Sequence, residues 1–238
     1  MFGPESNRSS SDGRGQPPGG DPRQSPQLVQ LQGILQRVAS DKRFQDNQSW
    51  GEVRPGHPEG SLREHVAQLS RSLNYLVSKF PELPRILTEE GLLKIKILIL
   101  VHDSMKPEAK RGVPVEHQRN HATLAANFLR QHGGANDLIL MTKLHDEHHA
   151  LYRQSQRGGV ENGRLERILH SIPSWDLFLT FQVCDKVGPG RDLGSIQWLV
   201  SQLRERQVDF IVPADEMIST LSALVCPSPH NPDFEANK

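Results

Sequence analysis
Apolar residues recur along this chain at steps of three and four, and strict alternation of apolar and polar positions is absent. That period belongs to helices rather than strands, so the pattern predicts an all-α fold. A first helix is expected over about residues 27–40, followed by a loop holding Trp50, Pro55 and Pro58. The next helix runs from Ser61, a suitable N-cap with Glu64 three residues on, to Phe80. Its apolar stripe is Leu62, Val66, Leu69, Leu73, Leu76 and Phe80. Residues 91–101 (GLLKIKILILV) are apolar nearly all round, apart from Lys94 and Lys96. Such a segment is expected at the centre of a domain, and its length and neighbours favour helix over buried strand. Further helices fit 116–132, 135–154, 164–170, 174–187, 193–206 and 214–225. Gly133-Gly134, Gly158-Gly159 and Gly188-Pro189-Gly190 punctuate them.

The two ends of the chain read differently. The first 26 residues are Gly, Pro, Ser and charge, with almost nothing to bury. They are expected to be a flexible lead-in, and 228–238 a flexible tail, on either side of one helical domain over 27–227. With 238 residues the chain is long enough for a real core. Lysine and arginine total 28, as do the acids, so the formal net charge is zero. That argues against general nucleic-acid binding, which needs a net basic surface. No apolar run approaches the ~20 residues of a membrane span. The N-terminus lacks the basic-then-apolar pattern of a secretory signal. The only cysteines are Cys184 and Cys226, without a CxxC, which suits a cytoplasmic protein and leaves no zinc finger. Composition leaves the oligomeric state open.

The candidate chemistry lies on the apolar faces of these helices. His102-Asp103 closes the most apolar helix and is followed by Ser104-Met105-Lys106-Pro107. An adjacent His and Asp are awkward to bury unless both serve a metal ion. His65 lies three after Leu62 and four before Leu69. His121 precedes Ala125 by four, His145 follows Met141 by four, and Asp185 follows Phe181 by four. Five helical segments thus each aim an imidazole or carboxylate inward. Taken singly, each such histidine is better read as an ordinary core or surface residue than as a ligand. His117, His148 and His149 beside them are open as ligands, as groups supporting the ligands or as solvated bystanders, and singly are best read as bystanders. A shared metal centre accounts for the set, because lone buried charges cost several kcal/mol.

The order His65, His102-Asp103, His121, His145, Asp185 resembles the HD-domain metal-dependent phosphohydrolase superfamily over about residues 57–192. HPEGSLREHV (57–66) is similar to the opening helix of HD domains, including those of bacterial tRNA nucleotidyltransferases, which makes His65 rather than His57 the first ligand. HDSMKP (102–107) resembles the HDxGKP signature of the HD-GYP branch, with Met105 in place of Gly. HATLAANFL (121–129) and FLTFQVCDKVG (178–188) resemble the helices carrying later ligands. LHDEHH (144–149) sits where that branch has His-His-Glu, with Asp146 replacing the second His. The GYP tripeptide itself is absent.

This resemblance implies a single helical HD domain in which His65, His102, Asp103 and Asp185 hold one divalent ion. His121 and His145 then add a second, bridged by Asp103. The ions would be Mn, Fe, Zn, Co or Ni. Two ions about 3.5–4 Å apart clamp a phosphoryl group and activate water for in-line attack. The implied activity is hydrolysis of a phosphomonoester or phosphodiester in a nucleotide or related small phosphoester. Asp103 and Lys106 would be catalytic, and Lys106, Arg153 and Lys186 would bind substrate. The alternative is an inactive metal- or nucleotide-binding regulatory module. No Walker-type glycine-rich loop is present, so ATP-driven chemistry is not expected.

Overall fold
The computed structural model describes residues 25–53 and 59–225. The expected flexible tails lie almost wholly outside the described residues, as do Pro55, His57, Pro58 and Cys226. Among the described residues there are helices and no strand, as the period of three and four requires. In chain order the helices are α1 (Pro26–Ser40), α2 (Lys42–Asn47), α3 (Leu62–Lys79), α4 (Leu83–Val101), α5 (His121–Gln131), α6 (Asn136–Leu144), α7 (Glu147–Ser155), α8 (Asn162–Ser171), α9 (Trp175–Lys186), α10 (Gly194–Glu205) and α11 (Ala214–Val225). A short 3-10 turn, Lys106–Glu108, follows α4.

Local chemistry sets several boundaries. The Ser61 hydroxyl caps α3 by accepting from the Glu64 N–H at 3.3 Å. The Asn120 side chain accepts from Ala122 N–H at 2.9 Å, so α5 starts at His121 rather than at 116, and 116–120 form turns instead. Asp41 caps α2 by accepting from the backbones of Arg43 and Phe44. This short helix lies where a loop was expected. The predicted 91–101 helix extends back to Leu83, across a break at Thr88, whose φ of 61° is costly for a β-branched residue. The predicted 135–154 helix is two helices, separated by a turn at His145-Asp146. There the His145 carbonyl accepts from Gln182 Nε2 at 2.8 Å, a bond made to another helix.

The centre is shared by α4 and α9, which pack on each other. Every residue of α9 from 177 to 185 is buried. Around this pair, α3 packs on both, α1 and α6 cover α4, and α11 and α10 cover α9. The functional consequence lies at one end of the bundle. His102 caps the C-terminus of α4, His145 follows the C-terminus of α6, and Asp185 closes α9. Carboxyl ends of helices carry partial negative charge, so their meeting favours a cation.

Candidate metal centre
Six side chains from five helical segments meet there. His65, His102 and Asp185 form one group and Asp103, His121 and His145 another, with the candidate ligand atoms of each group within 4.8 Å of one another. Asp103 faces both groups. Its Oδ2 lies 3.7 Å from His65 Nε2 and 3.5 Å from His102 Nε2. Its Oδ1 lies 3.7 Å from His121 Nε2 and 3.5 Å from His145 Nε2. Asp185 Oδ1 completes the first group, 3.4 Å from His65 Nε2 and 3.7 Å from His102 Nε2. All of these residues are buried except His121, which is partly exposed.

The groups behind the imidazoles decide which ring nitrogen carries the proton. His102 Nδ1 lies 3.1 Å from the carbonyl oxygens of Leu98 and Ile99, and His145 Nδ1 lies 2.8 Å from that of Thr142. A carbonyl only accepts, so Nδ1 is the protonated nitrogen in both rings and Nε2 presents its lone pair to the site. His65 Nδ1 lies 3.1 Å from Glu59 Oε1, and the same oxygen accepts from Arg191 Nη2 at 2.7 Å. Asp103 Oδ1 is buried and has no hydrogen-bond partner. Inward lone pairs, an orphaned carboxylate oxygen and mixed nitrogen and oxygen donors are what a divalent metal needs. These buried groups could therefore hold a metal ion.

The electrostatics point the same way. Burial alone would push the Asp103 carboxyl up, but Lys106, His102 and His145 hold it well below the usual carboxylate range. Burial is likewise overcome at Asp185, first by Lys186 and then by the neighbouring His102 and His65. His65 is raised: burial opposes its charge, yet the hydrogen bonds to Asp185 and Glu59 outweigh burial. The site thus keeps its carboxylates ionised and draws positive charge inward.

The centre opens onto a cleft of about 310 Å³. Its described lining includes His65, Asp103 and Lys106, with Trp50 and Glu59 on the walls and Arg111 as a second cation. Lys106 Nζ also bonds Asp103 Oδ2. Arg43 reaches across to Glu108 at 2.5 Å, and Asn47 Nδ2 donates to the Ser104 carbonyl at 2.9 Å. The short α2 thereby holds the segment that carries Lys106.

The other sequence candidates fall outside the cleft. Arg153 is exposed on α7 and does not line it. Lys186 lies at the centre but is held, partly buried, between Asp146 and Asp185, 2.8 Å from each, and is tied to carboxylates. His117 Nδ1 accepts from Arg119 N–H in the turn before α5. His148 is buried rather than solvated, and burial, with Lys186 nearby, pushes its ring down to about 3, so it is neutral. Residues given no role in the site by sequence reasoning are Glu59 and Trp50, which come from loops with no periodic signal; Arg111 and Arg191 stand out only as positive charges near the ligands. Asp146 likewise has no role assigned from the sequence, where it is noted only as the residue in place of the second His. No family model, no curated protein and no solved structure matches this chain.

Proposed function
We propose that this chain is a metal-dependent phosphohydrolase of the HD-domain superfamily. It would cleave a phosphomonoester or phosphodiester bond in a nucleotide or related small phosphoester. The observation that carries this reading is the position of Asp103, with one oxygen toward the His65/His102 pair and the other toward the His121/His145 pair. A carboxylate so placed suits two ions sharing one ligand, and the lining of the adjacent cleft suits a phosphate. Divalent ions of the Mn, Fe, Zn, Co or Ni class would supply Lewis acidity and water activated at neutral pH.

The protein's own groups would do the rest. Lys106, at the cleft floor, offers Nζ to a nonbridging phosphoryl oxygen, and Arg111 adds a second positive charge on the lining. The carbonyls of Leu98 and Thr142 hold the Nδ1 protons of His102 and His145, which keeps both Nε2 atoms free as ligands. Glu59 and Arg191 fix the His65 ring. Arg191 also donates to Asp185, which keeps that carboxylate ionised and in place. Burial of His65, His102, Asp103, His145 and Asp185 limits the access of bulk water to the centre.

The test is turnover. Protein loaded separately with each of the five metals is assayed against a panel of nucleotides, sugar phosphates and cyclic and linear phosphodiesters. Metal-dependent release of phosphate or of a cleaved diester, abolished by chelator, is expected. Bound ions with no hydrolysis of any panel member would overturn the enzyme reading in favour of a binding module.

A further inference from the structure
The second His-Asp dipeptide, His145-Asp146, contributes only its histidine to the two ligand groups described above. Its carboxylate is nevertheless at the same place. Asp146 Oδ2 lies 3.2 Å from His121 Nε2 and 3.9 Å from His145 Nε2. Its other oxygen, Oδ1, accepts from Lys186 Nζ at 2.8 Å. Asp185 is arranged in the same manner on the opposite side, with Oδ2 on Lys186 at 2.8 Å and Oδ1 toward His65 and His102. One partly buried ammonium therefore sits between two carboxylates, and each presents its remaining oxygen to a different histidine pair.

A count of protons shows why this matters. Three acceptors lie within 3.7 Å of His121 Nε2: His145 Nε2, Asp103 Oδ1 and Asp146 Oδ2. His145 Nε2 is an acceptor because its ring proton is on Nδ1. Only His121 Nε2 has a proton to offer there, and it can satisfy one of the three. Asp103 Oδ1, buried, is left with no hydrogen-bond partner at all. A cation in place of that single proton would meet His145 Nε2 and Asp103 Oδ1, with the Asp146 carboxylate beside the pair.

We propose that Asp146 is a fourth protein ligand of the second ion site. This rests on the two-ion reading given above. Each site then offers two imidazole nitrogens and two carboxylate oxygens, a donor set suited to divalent transition ions. The two sites differ in access. The His65, His102 and Asp185 side chains are at most 5 % exposed, whereas His121 is 20 % and Asp146 is 37 % exposed. The second ion, beside the more exposed side chains, is therefore expected to be the more weakly held.

The experiment titrates chelator-stripped protein with Mn²⁺, following bound ion by calorimetry and metal content by mass spectrometry after desalting. Wild type is expected to take up two ions and to release one well before the other as chelator is added. Asp146→Asn and Asp146→Ala are expected to bind one ion, with the weaker step missing and the tighter step unchanged. A thermal melt in chelator checks that each variant folds. Two ions bound with wild-type affinity in both variants would overturn the assignment of Asp146. Loss of both ions would overturn its confinement to the second site. A wild type that binds fewer than two ions would instead refute the two-ion reading, and the proposal with it.

Discussion

Lys186→Met should destabilise the stripped protein far more than the loaded one. The Lys186 side chain is 14 % exposed and its Nζ lies 2.8 Å from both Asp146 and Asp185. Removing one partner of a buried ion pair costs about 3–5 kcal/mol, because the other charge is left uncompensated. Two features place this case at the lower end. Asp146 is 37 % exposed, so water takes up part of its charge. Asp185 keeps Arg191 Nη1 at 3.3 Å. A loss of about 3 kcal/mol is therefore expected with chelator present. With a urea dependence of about 2–3 kcal/mol per molar, the unfolding midpoint should fall by about 1 M or more. Urea melts at neutral pH, read by circular dichroism with chelator and again with saturating Mn²⁺, provide the assay. In Mn²⁺ the difference should shrink, because the ion replaces the missing positive charge beside Asp185. A midpoint within about 0.2 M of wild type in chelator would refute the reasoning: Lys186 would not be the counter-charge of these carboxylates.

Two further perturbations test neighbouring parts of the account. Lys106→Met should lower turnover about a hundredfold while two ions remain bound, since its ammonium faces the cleft and is not itself a ligand; kinetics paired with metal content checks this. Glu108→Gln tests the clamp from α2. The Arg43 hydrogen bond, opposed by burial, holds the Glu108 carboxyl below its ordinary value. The stability from that pair is therefore present above the ordinary glutamate value and is lost as pH falls through the lowered one. Both side chains are more than a third exposed, so the loss at neutral pH should be under about 1 kcal/mol, and in urea melts it should fade as the pH falls below the ordinary glutamate range.

The helices were legible where an apolar stripe ran long enough to show its period. The stripe from Leu62 to Leu76 marks α3, and Ser61 marks its start. The ligand candidates were legible for the same reason: His65, His145 and Asp185 share the buried faces of their helices, and a polar group there needs an explanation. Other features are set by partners distant in sequence. The turn at His145-Asp146 carries no Gly or Pro, and its bond to Gln182 comes from α9. That turn also separates Asp146 from the helical register in which it reads as a neighbour of His145 and nothing more. The helix α2 has a single buried apolar residue, Phe44, too few to display a period. Lys186 looked like a substrate cation because nothing in the sequence shows Asp146 on its other side. The cleft walls at Trp50 and Glu59 belong to loops, whose positions follow from the helices they join rather than from any pattern of their own.

The central claim is that Asp103 joins two ions in one centre. Its most direct test is the metal content of protein purified without chelator, beside a folded Asp103→Ala control. The account predicts close to two Mn, Fe, Zn, Co or Ni ions per wild-type chain and the loss of both, or all but traces, in the variant. Wild-type protein that holds none of these metals, even after reconstitution with each, would contradict it.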